Sequence, residues 1–160
     1  MLFYRRHLPH WIPDEATIFV TWRLAGPGPF ETGTGPFWLQ DPRVAGVVVD
    51  ALLHGETVGR FYQLHAWAIM PNHVHVILQP HAAMPAIMRW LKGRTSRVAN
   101  RILGRTGKPF WQDESFDHWV RSAEELEDLI YYVENNPVKA GLVEVPEQWR
   151  WSSAGWLTGK

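Results

Sequence analysis

The order of the predicted elements indicates an α+β fold, a ferredoxin-like antiparallel sheet with helices packed on one face. Short segments rich in β-branched and aromatic residues alternate with longer amphipathic segments, in the order strand, helix, strand, strand, helix, strand, helix. Two of the strands are separated only by Pro71-Asn72, which is typical of a tight turn between antiparallel strands. The chain of 160 residues is long enough to bury a substantial core, so residues 1–160 are expected to form a single domain.

The first strand and the first helix follow from local composition. Residues 16–26, ATIFVTWRLAG, have the β-branched and aromatic content of a strand and end at a Gly/Pro cluster. The glycine- and proline-rich residues after them predict a long loop. A helix is predicted over residues 41–56, because Asp41 is a favourable N-cap and Pro42 is a favourable first-turn residue.

The middle of the chain predicts a β-hairpin. Residues 59–70, GRFYQLHAWAIM, alternate as a strand, and a second strand runs from His73 to Gln79. Pro71-Asn72 joins them, since proline presets the first central dihedral of a turn and asparagine tolerates the second. His73 and His75 therefore begin the return strand of the hairpin.

The last elements are two long helices with a strand between them. Residues 84–104 form a basic amphipathic pattern, with a break expected near Gly93, and residues 107–121 predict a strand. Ser122 and Glu125 have the spacing of a capping box and predict the start of the last long helix. Pro137 is expected to end or kink that helix. A short aromatic tail follows, at about residues 143–160.

The net charge of zero conceals a strong asymmetry. No aspartate or glutamate occurs from Thr57 to Gln112, whereas eight of the 16 lysines and arginines lie there. Such segregation favours a polyanion on one face, and a solvated basic helix face is the competing interpretation. The expected DNA contacts are Arg5, Arg6, Arg89, Lys92, Arg94, Arg97, Arg101 and Arg105. Any base preference is expected near residues 4–11, from unpaired bases stacked on aromatic side chains.

Several classes of protein are excluded by composition. The chain has no cysteine, which excludes disulfides and thiolate zinc sites. No apolar run approaches the roughly 18 residues of a membrane span. The N-terminus lacks the apolar region of a signal peptide, so a cytoplasmic protein is predicted.

The sequence His73-Val74-His75 is a candidate metal site. Alternate side chains of a strand share a face, so the two imidazoles would lie roughly 6–7 Å apart and could converge on one divalent cation. Asn136 is the candidate third ligand through its amide oxygen, which leaves positions open for water and phosphate. This ligand set suits Mn²⁺ better than Mg²⁺, although Mg²⁺ could serve with retained waters. Catalytic zinc is the competing interpretation.

The last helix carries a candidate nucleophile, Tyr132, one turn before Asn136. Tyr132 lies on the flank of the apolar stripe, near the sheet, whereas Tyr131 points away. A pair of metal-binding histidines on a sheet, facing a helix with a phenol and an amide oxygen, suits phosphodiester chemistry with a tyrosine nucleophile. The competing interpretation of Tyr132 is a half-buried structural tyrosine.

Four segments taken together resemble the REP-associated tyrosine transposases, within the single-tyrosine HUH transposases of bacteria. They are WAIMPNHVHVIL, FWQDESFDHWVR, YYVENNPVKAGLV and WRWSSA. The N-terminal YRRHLPHW and ATIFVTWRLAG are also similar to that family, so the resemblance covers nearly the whole chain.

The resemblance implies the fold of HUH endonucleases and assigns roles to residues. His73 and His75 would bind the metal, Tyr132 would attack DNA, and Asn136 would complete the metal site. It implies cleavage of single-stranded DNA beside REP-type hairpins, with a 5′-phosphotyrosine and a free 3′-OH as products. It also implies a monomer and a location at the bacterial nucleoid.

Two alternatives stay open at this point. One is a non-catalytic DNA-binding protein that recognises hairpins and retains the fold. The other is a plasmid-type replication initiator, which shares the chemistry but normally has a larger chain or a helicase module. The presence of His73, His75, Tyr132 and Asn136 favours an active nuclease and strand transferase.

Overall fold

The structure, a computed structural model, describes residues 4–5, 16–26 and 35–158. The strands are β1 (Tyr4–Arg5), β2 (Ile18–Leu24), β3 (Tyr62–Ile69), β4 (His73–Pro80) and β5 (Trp111–Trp119). The helices are α1 (Pro42–Thr57), α2 (Met84–Leu103), α3 (Ala123–Lys139) and α4 (Ser153–Thr158), with 3-10 turns at Trp38–Gln40 and Pro146–Gln148. None of the helices in this part of the chain has both the length and the hydropathy needed to cross a membrane.

The strands form one sheet in the order β1-β5-β2-β4-β3, and every neighbouring pair is antiparallel. The two-residue β1 lies at one edge, and the hairpin of β3 and β4 forms the other side. The predicted α+β class with an antiparallel sheet is therefore confirmed.

The helices cover both faces of the sheet. The larger core lies between one face and helices α1 and α2, and includes Trp22, Val76, Val48 and Leu91. The smaller core lies between the other face and α3, and contains Phe19, Ala66, Ala68, Ile77, Val120, Leu129 and Val133. The prediction of helices on one face holds for α1 and α2 and is corrected for α3. The central strands carry apolar residues on both faces, so both faces need a cover.

The predicted starts of two helices are confirmed by their caps. The Asp41 carboxylate accepts a hydrogen bond from the backbone N–H of Arg43, at 2.9 Å, at the start of α1. At the start of α3, the Ser122 hydroxyl accepts from the backbone N–H of Glu125, at 3.1 Å. The second bond of the predicted capping box differs, because the Glu125 carboxylate accepts from the backbone N–H of Arg121, at 2.9 Å.

The predicted break in α2 does not occur, and α3 ends close to its predicted end. Helix α2 is continuous through Gly93, because its buried side, which includes Leu91 and Ala99, packs in the larger core and compensates for the low helix propensity of glycine. Helix α3 continues past Pro137 to Lys139. Pro137 is buried in the last turn, and the helix ends two residues after it, close to the predicted end.

The predicted aromatic tail packs along the outer strand β3. The backbone N–H of Ile69 donates to the carbonyl of Trp151 at 2.7 Å, and the Trp149 indole N–H donates to the carbonyl of Ile69 at 3.0 Å. The Ser153 hydroxyl bonds the Glu134 carboxylate at 2.6 Å and so joins the tail to α3. Residues 149–153 thereby occupy one end of the sheet edge.

Candidate active site

His73 and His75 lie at the start of β4, on the face of the sheet that α3 covers. They alternate with Val74 and share their face with Ile77, which packs against α3 in the smaller core. The centroids of the two imidazole rings are 4.7 Å apart, and the rings meet edge to face. The structure thus brings together the two histidines that the strand pattern placed on one face.

A hydrogen bond at Nδ1 orients each imidazole. The Asn72 side-chain oxygen lies 2.6 Å from Nδ1 of His73, and the Thr21 hydroxyl lies 2.7 Å from Nδ1 of His75. In the tautomer in which Nδ1 donates to these oxygens, the lone pair of the neutral ring is on Nε2, as in histidines that bind metals through Nε2. Thr21 stands opposite His75 in the pairing of β2 with β4, so the sheet register itself supplies this partner.

Burial keeps both imidazoles neutral at pH 7. Burial, assisted by the charge of Arg23, lowers the pKa of His73 to about 4. Burial, assisted by His73, lowers the pKa of His75 well below its usual value. Neutral imidazole is the form that binds a metal ion, so the site needs no proton release from either histidine before binding at neutral pH.

Tyr132 lies beside the histidines, on the flank of α3 that faces the sheet. Its ring centroid is 5.8 Å from that of His75 and 6.1 Å from that of Phe19, in edge-to-face geometry with both. The side chain is 41% exposed, so a large ligand can reach it from solvent. Tyr132 makes no hydrogen bond within the described residues, which leaves its hydroxyl available.

The neighbouring Tyr131 points elsewhere, as its helix phase predicts. It is 69% exposed and lines a cavity of about 430 Å³ between α3 and the turn at Pro146–Gln148. Asn136 lies one turn beyond Tyr132 and is half-buried. Its side chain makes no hydrogen bond within the described residues, so its amide oxygen is available as a ligand.

The donors present fit a divalent cation. Two neutral imidazoles and an amide oxygen are ligands that Mn²⁺ accepts, and Mg²⁺ accepts the oxygen ligands. Among the described residues, no group of three His, Asp or Glu side chains could hold a metal ion. The candidate third ligand remains the amide oxygen of Asn136.

Sequence reasoning missed several neighbours of Tyr132 and of its helix. Phe19 and Thr21 reach the site from β2, and only the sheet register could have identified them. Lys139 follows Tyr132 by two turns of α3, and its ammonium lies 5.9 Å from the centre of the Tyr132 ring. That spacing was visible in the sequence, as the last-turn cation of a helix. His118 of β5 lies 2.9 Å from the Glu125 carboxylate and joins the start of α3 to the sheet.

The basic residues of α2 lie on the opposite face of the sheet from Tyr132, since α2 packs against the larger core. Lys92 donates to the carbonyls of Gln112 and Asp113, at 2.9 and 3.1 Å. The Arg105 guanidinium lies 4.1 Å from the Trp38 ring centre, and Arg94 lies 5.5 Å from that of Trp90. Arg89, Arg94, Arg97 and Arg101 are exposed. The predicted DNA-contacting set therefore contains both structural and solvent-facing cations.

The N-terminal predictions fall largely outside the described residues. Arg6 and most of residues 4–11 lie there. For Arg5 the structure gives only the backbone, which pairs with Phe116 of β5.

Comparison with protein families and known proteins places this architecture among transposases. Residues 54–136 match the family model described as IS200-like transposase. A REP-associated tyrosine transposase of Escherichia coli K12 is 26% identical over 96 residues, which cover 59% of this chain and 55% of that protein. A Haemophilus influenzae protein named after the same group is 28% identical over 103 residues, 58% of each chain. The matches thus span little more than half the length of these relatives.

A solved structure has a similar fold. It is a REP-associated tyrosine transposase bound to a REP hairpin, with a TM-score of 0.68 and 18% sequence identity, and the match covers 96% of this chain and 86% of that one. At this identity the likeness concerns the fold.

Proposed function

The chain belongs to the IS200-like transposase family, and on that premise we propose that it is a single-stranded DNA endonuclease and strand transferase with Tyr132 as its nucleophile. This membership agrees with the relationship predicted from the ordered motifs. The observation that carries the proposal is the position of the Tyr132 ring, 5.8 Å from that of His75, on the face that also holds His73.

The proposed reaction is a transesterification. The Tyr132 hydroxyl oxygen forms a bond to a DNA phosphorus, and the bond from that phosphorus to the 3′ oxygen breaks. The phenol gives up its proton and the departing 3′ oxygen gains one, so the products are a 5′-phosphotyrosine and a free 3′-OH. Attack of another 3′-OH on the phosphotyrosine reverses these steps and joins a new strand. Since bond energy is retained, the cycle needs no nucleotide cofactor.

His73, His75 and Asn136 would hold a divalent cation, Mg²⁺ or Mn²⁺. Such an ion, when bound, polarises a phosphodiester and favours the ionised nucleophile. The protein prepares for it: Thr21 and Asn72 orient the imidazoles, and burial keeps them neutral.

Other side chains position the nucleophile. Phe19 lies against Tyr132 and His75, so it restricts the direction of the phenol without competing for its hydroxyl. Lys139 adds a positive charge beside the same ring and would attract the scissile phosphate. The larger core and the hairpin hold β4 rigid, and the His118–Glu125 pair holds the start of α3.

The proposed substrate is a REP-type DNA hairpin with its flanking single strand. Two relatives carry REP-associated names, and the similar solved structure holds a REP hairpin. We further propose that the protein acts as a monomer, because its own residues 149–153 occupy part of the outer edge of β3, where a second copy could otherwise pair.

The direct test is formation of the covalent intermediate. The protein is incubated with an end-labelled single-stranded hairpin and Mn²⁺, then denatured and separated by electrophoresis. We expect a labelled band at the mass of protein plus DNA, which is lost with EDTA. Hairpin binding without any adduct, over several hairpin sequences and both metals, would instead support a non-catalytic hairpin-binding protein.

Binding should depend on salt through the exposed cations of α2. Lys92 and Arg105 are engaged within the protein, which leaves Arg89, Arg94, Arg97 and Arg101. Four phosphate contacts predict a log–log slope of affinity against salt of about −3 to −4. Arg89→Ala should reduce the slope by about 0.7–0.9, measured by fluorescence anisotropy with labelled hairpin. Affinity that is independent of salt would contradict this role.

A further inference from the structure

A cavity of about 360 Å³ lies where α2 ends and the following loop turns back. Arg97, Asn100 and Arg101 of the helix line it, together with Thr106 and Lys108 of the loop. Its volume is within the range of small-ligand sites. It opens on the side of the molecule that carries α2, whereas Tyr132 lies across the sheet.

The cavity has an excess of positive charge. Arg97, Arg101 and Lys108 are exposed, and no carboxylate of the described residues pairs with them. The chain has no aspartate or glutamate from Thr57 to Gln112, so the helix and the loop that line the cavity carry no carboxylate of their own. These cations provide for an anion such as a phosphodiester.

The end of a helix normally repels anions through its unpaired carbonyls, and here two of those carbonyls are occupied. The backbone N–H of Arg105 donates to the carbonyl of Asn100 at 2.7 Å, and that of Gly104 donates to Arg101 at 3.4 Å. Gly104 adopts the left-handed conformation that allows this closure, with φ of 67°. Two acceptors at the helix end are therefore satisfied, while the cations of Arg97 and Arg101 stay exposed.

Asn100 adds to the cavity a hydrogen-bond acceptor that a phosphate group cannot satisfy. Its side chain is 5% exposed, and its amide nitrogen donates to the carbonyl of Lys108 at 2.7 Å, which fixes the orientation of the amide. Its amide oxygen is buried and has no hydrogen-bond partner among the described residues. An unpaired buried oxygen is costly, and only an N–H or O–H donor relieves it.

We propose that this cavity binds one unpaired nucleotide of the DNA substrate, at a second site distinct from the cleavage site. Arg97, Arg101 and Lys108 take its phosphate, and the Asn100 oxygen accepts a hydrogen bond from the exocyclic amino group of its base. A base with an amino group satisfies the acceptor that a free phosphate would leave unpaired. The proposal rests on the proposed function only in taking DNA as the ligand.

The test combines changes in the DNA with changes in the protein. Each unpaired nucleotide of the hairpin substrate is made abasic in turn, and the affinity of the full-length protein is measured. We expect one position to cost at least about tenfold. Replacing that base by its analogue without the amino group should cost a similar factor. In Asn100→Leu the same changes should have little effect, since the acceptor is gone.

The paired design separates recognition from damage to the fold. A purely structural role of Asn100 would weaken all DNAs by one factor and leave the abasic effect intact, which would overturn the proposal. A methylphosphonate beside the sensitive base removes the charge of that phosphate. Arg97→Ala should weaken binding of the normal DNA but have little effect on binding of the methylphosphonate DNA. Arg89→Ala is the matched control, because it removes the same charge from the same helix about 12 Å away along the axis. Arg89→Ala should weaken the normal DNA and the methylphosphonate DNA by the same factor.

The outcomes also separate this site from the cleavage site. An effect of one base that depends on Asn100, without any covalent adduct, would refute the proposed cleavage but support nucleotide binding in the cavity. An adduct with no coupling at any nucleotide would refute the cavity alone. Binding of a free nucleoside monophosphate that Asn100→Leu abolishes, with no effect of Asn100 in the DNA series, would show that the cavity takes a free nucleotide and not the DNA strand.

Discussion

Replacing His73 or His75 by alanine is expected to lower the rate of covalent adduct formation at least about a hundredfold while hairpin affinity changes by no more than about twofold. The loss is large because each imidazole is a proposed ligand of the cation, and a metal ion supplies several kcal/mol of transition-state stabilisation. Affinity persists because the basic α2 lies on the opposite face of the sheet. Adduct formation in single-turnover assays and anisotropy titrations measure the two effects separately.

Two further variants make this result specific. His81→Ala removes an exposed histidine just after β4 and should leave the rate unchanged. Thr21→Val removes the hydroxyl that bonds Nδ1 of His75 at 2.7 Å and should reduce the rate about 10- to 100-fold, with partial rescue by excess metal. Circular dichroism must show that each variant is folded. Undiminished cleavage by the wild-type protein in EDTA would refute the metal site.

Local signals were sufficient for the elements that carry the site. The hairpin that presents His73 and His75 was predictable because strand alternation and a Pro-Asn turn are properties of adjacent residues. The caps at Asp41 and Ser122 were predictable for the same reason. Helix phase also separated Tyr132 from Tyr131, since 100° per residue holds along any helix.

Features that depend on packing between distant segments were not predictable. The apolar stripe of α3 indicates that the helix is covered, but not by which face of the sheet. Contacts of Thr21 with His75, and of His118 with Glu125, join residues from different elements, so they depend on the sheet order. The continuity of α2 at Gly93 likewise depends on packing, because burial of the helix outweighs the low helix propensity of glycine.

The charge asymmetry illustrates both outcomes. The sequence correctly located a basic helix, yet it could not distinguish a cation that faces solvent from one that packs inward. Lys92 donates to backbone carbonyls at the start of β5, and Arg105 lies on Trp38. Arg97 and Arg101 instead border a cavity. Each of these roles is determined by residues more than ten positions away or by the loop after the helix.

Replacing Tyr132 by phenylalanine is expected to have the largest effect of any single change, a loss of adduct of at least about 1,000-fold. Only the hydroxyl is removed, and it makes no hydrogen bond within the described part of the chain. The ring keeps its contacts with His75 and Phe19. Stability and hairpin affinity should therefore stay within about 0.5 kcal/mol of wild type, measured by urea unfolding and anisotropy.

Tyr131→Phe is the matched control, because it removes the same atom from the adjacent residue. Tyr131 lines the cavity beside Pro146, on another side of α3, so its variant should form the adduct at the wild-type rate. Digestion of the trapped complex and mass spectrometry then identify the modified residue. A nucleotide on Tyr132 is expected, since its ring is the one in contact with His75. A nucleotide on Tyr131 would require α3 to rotate by about 100° before reaction, and would refute the arrangement proposed for the site.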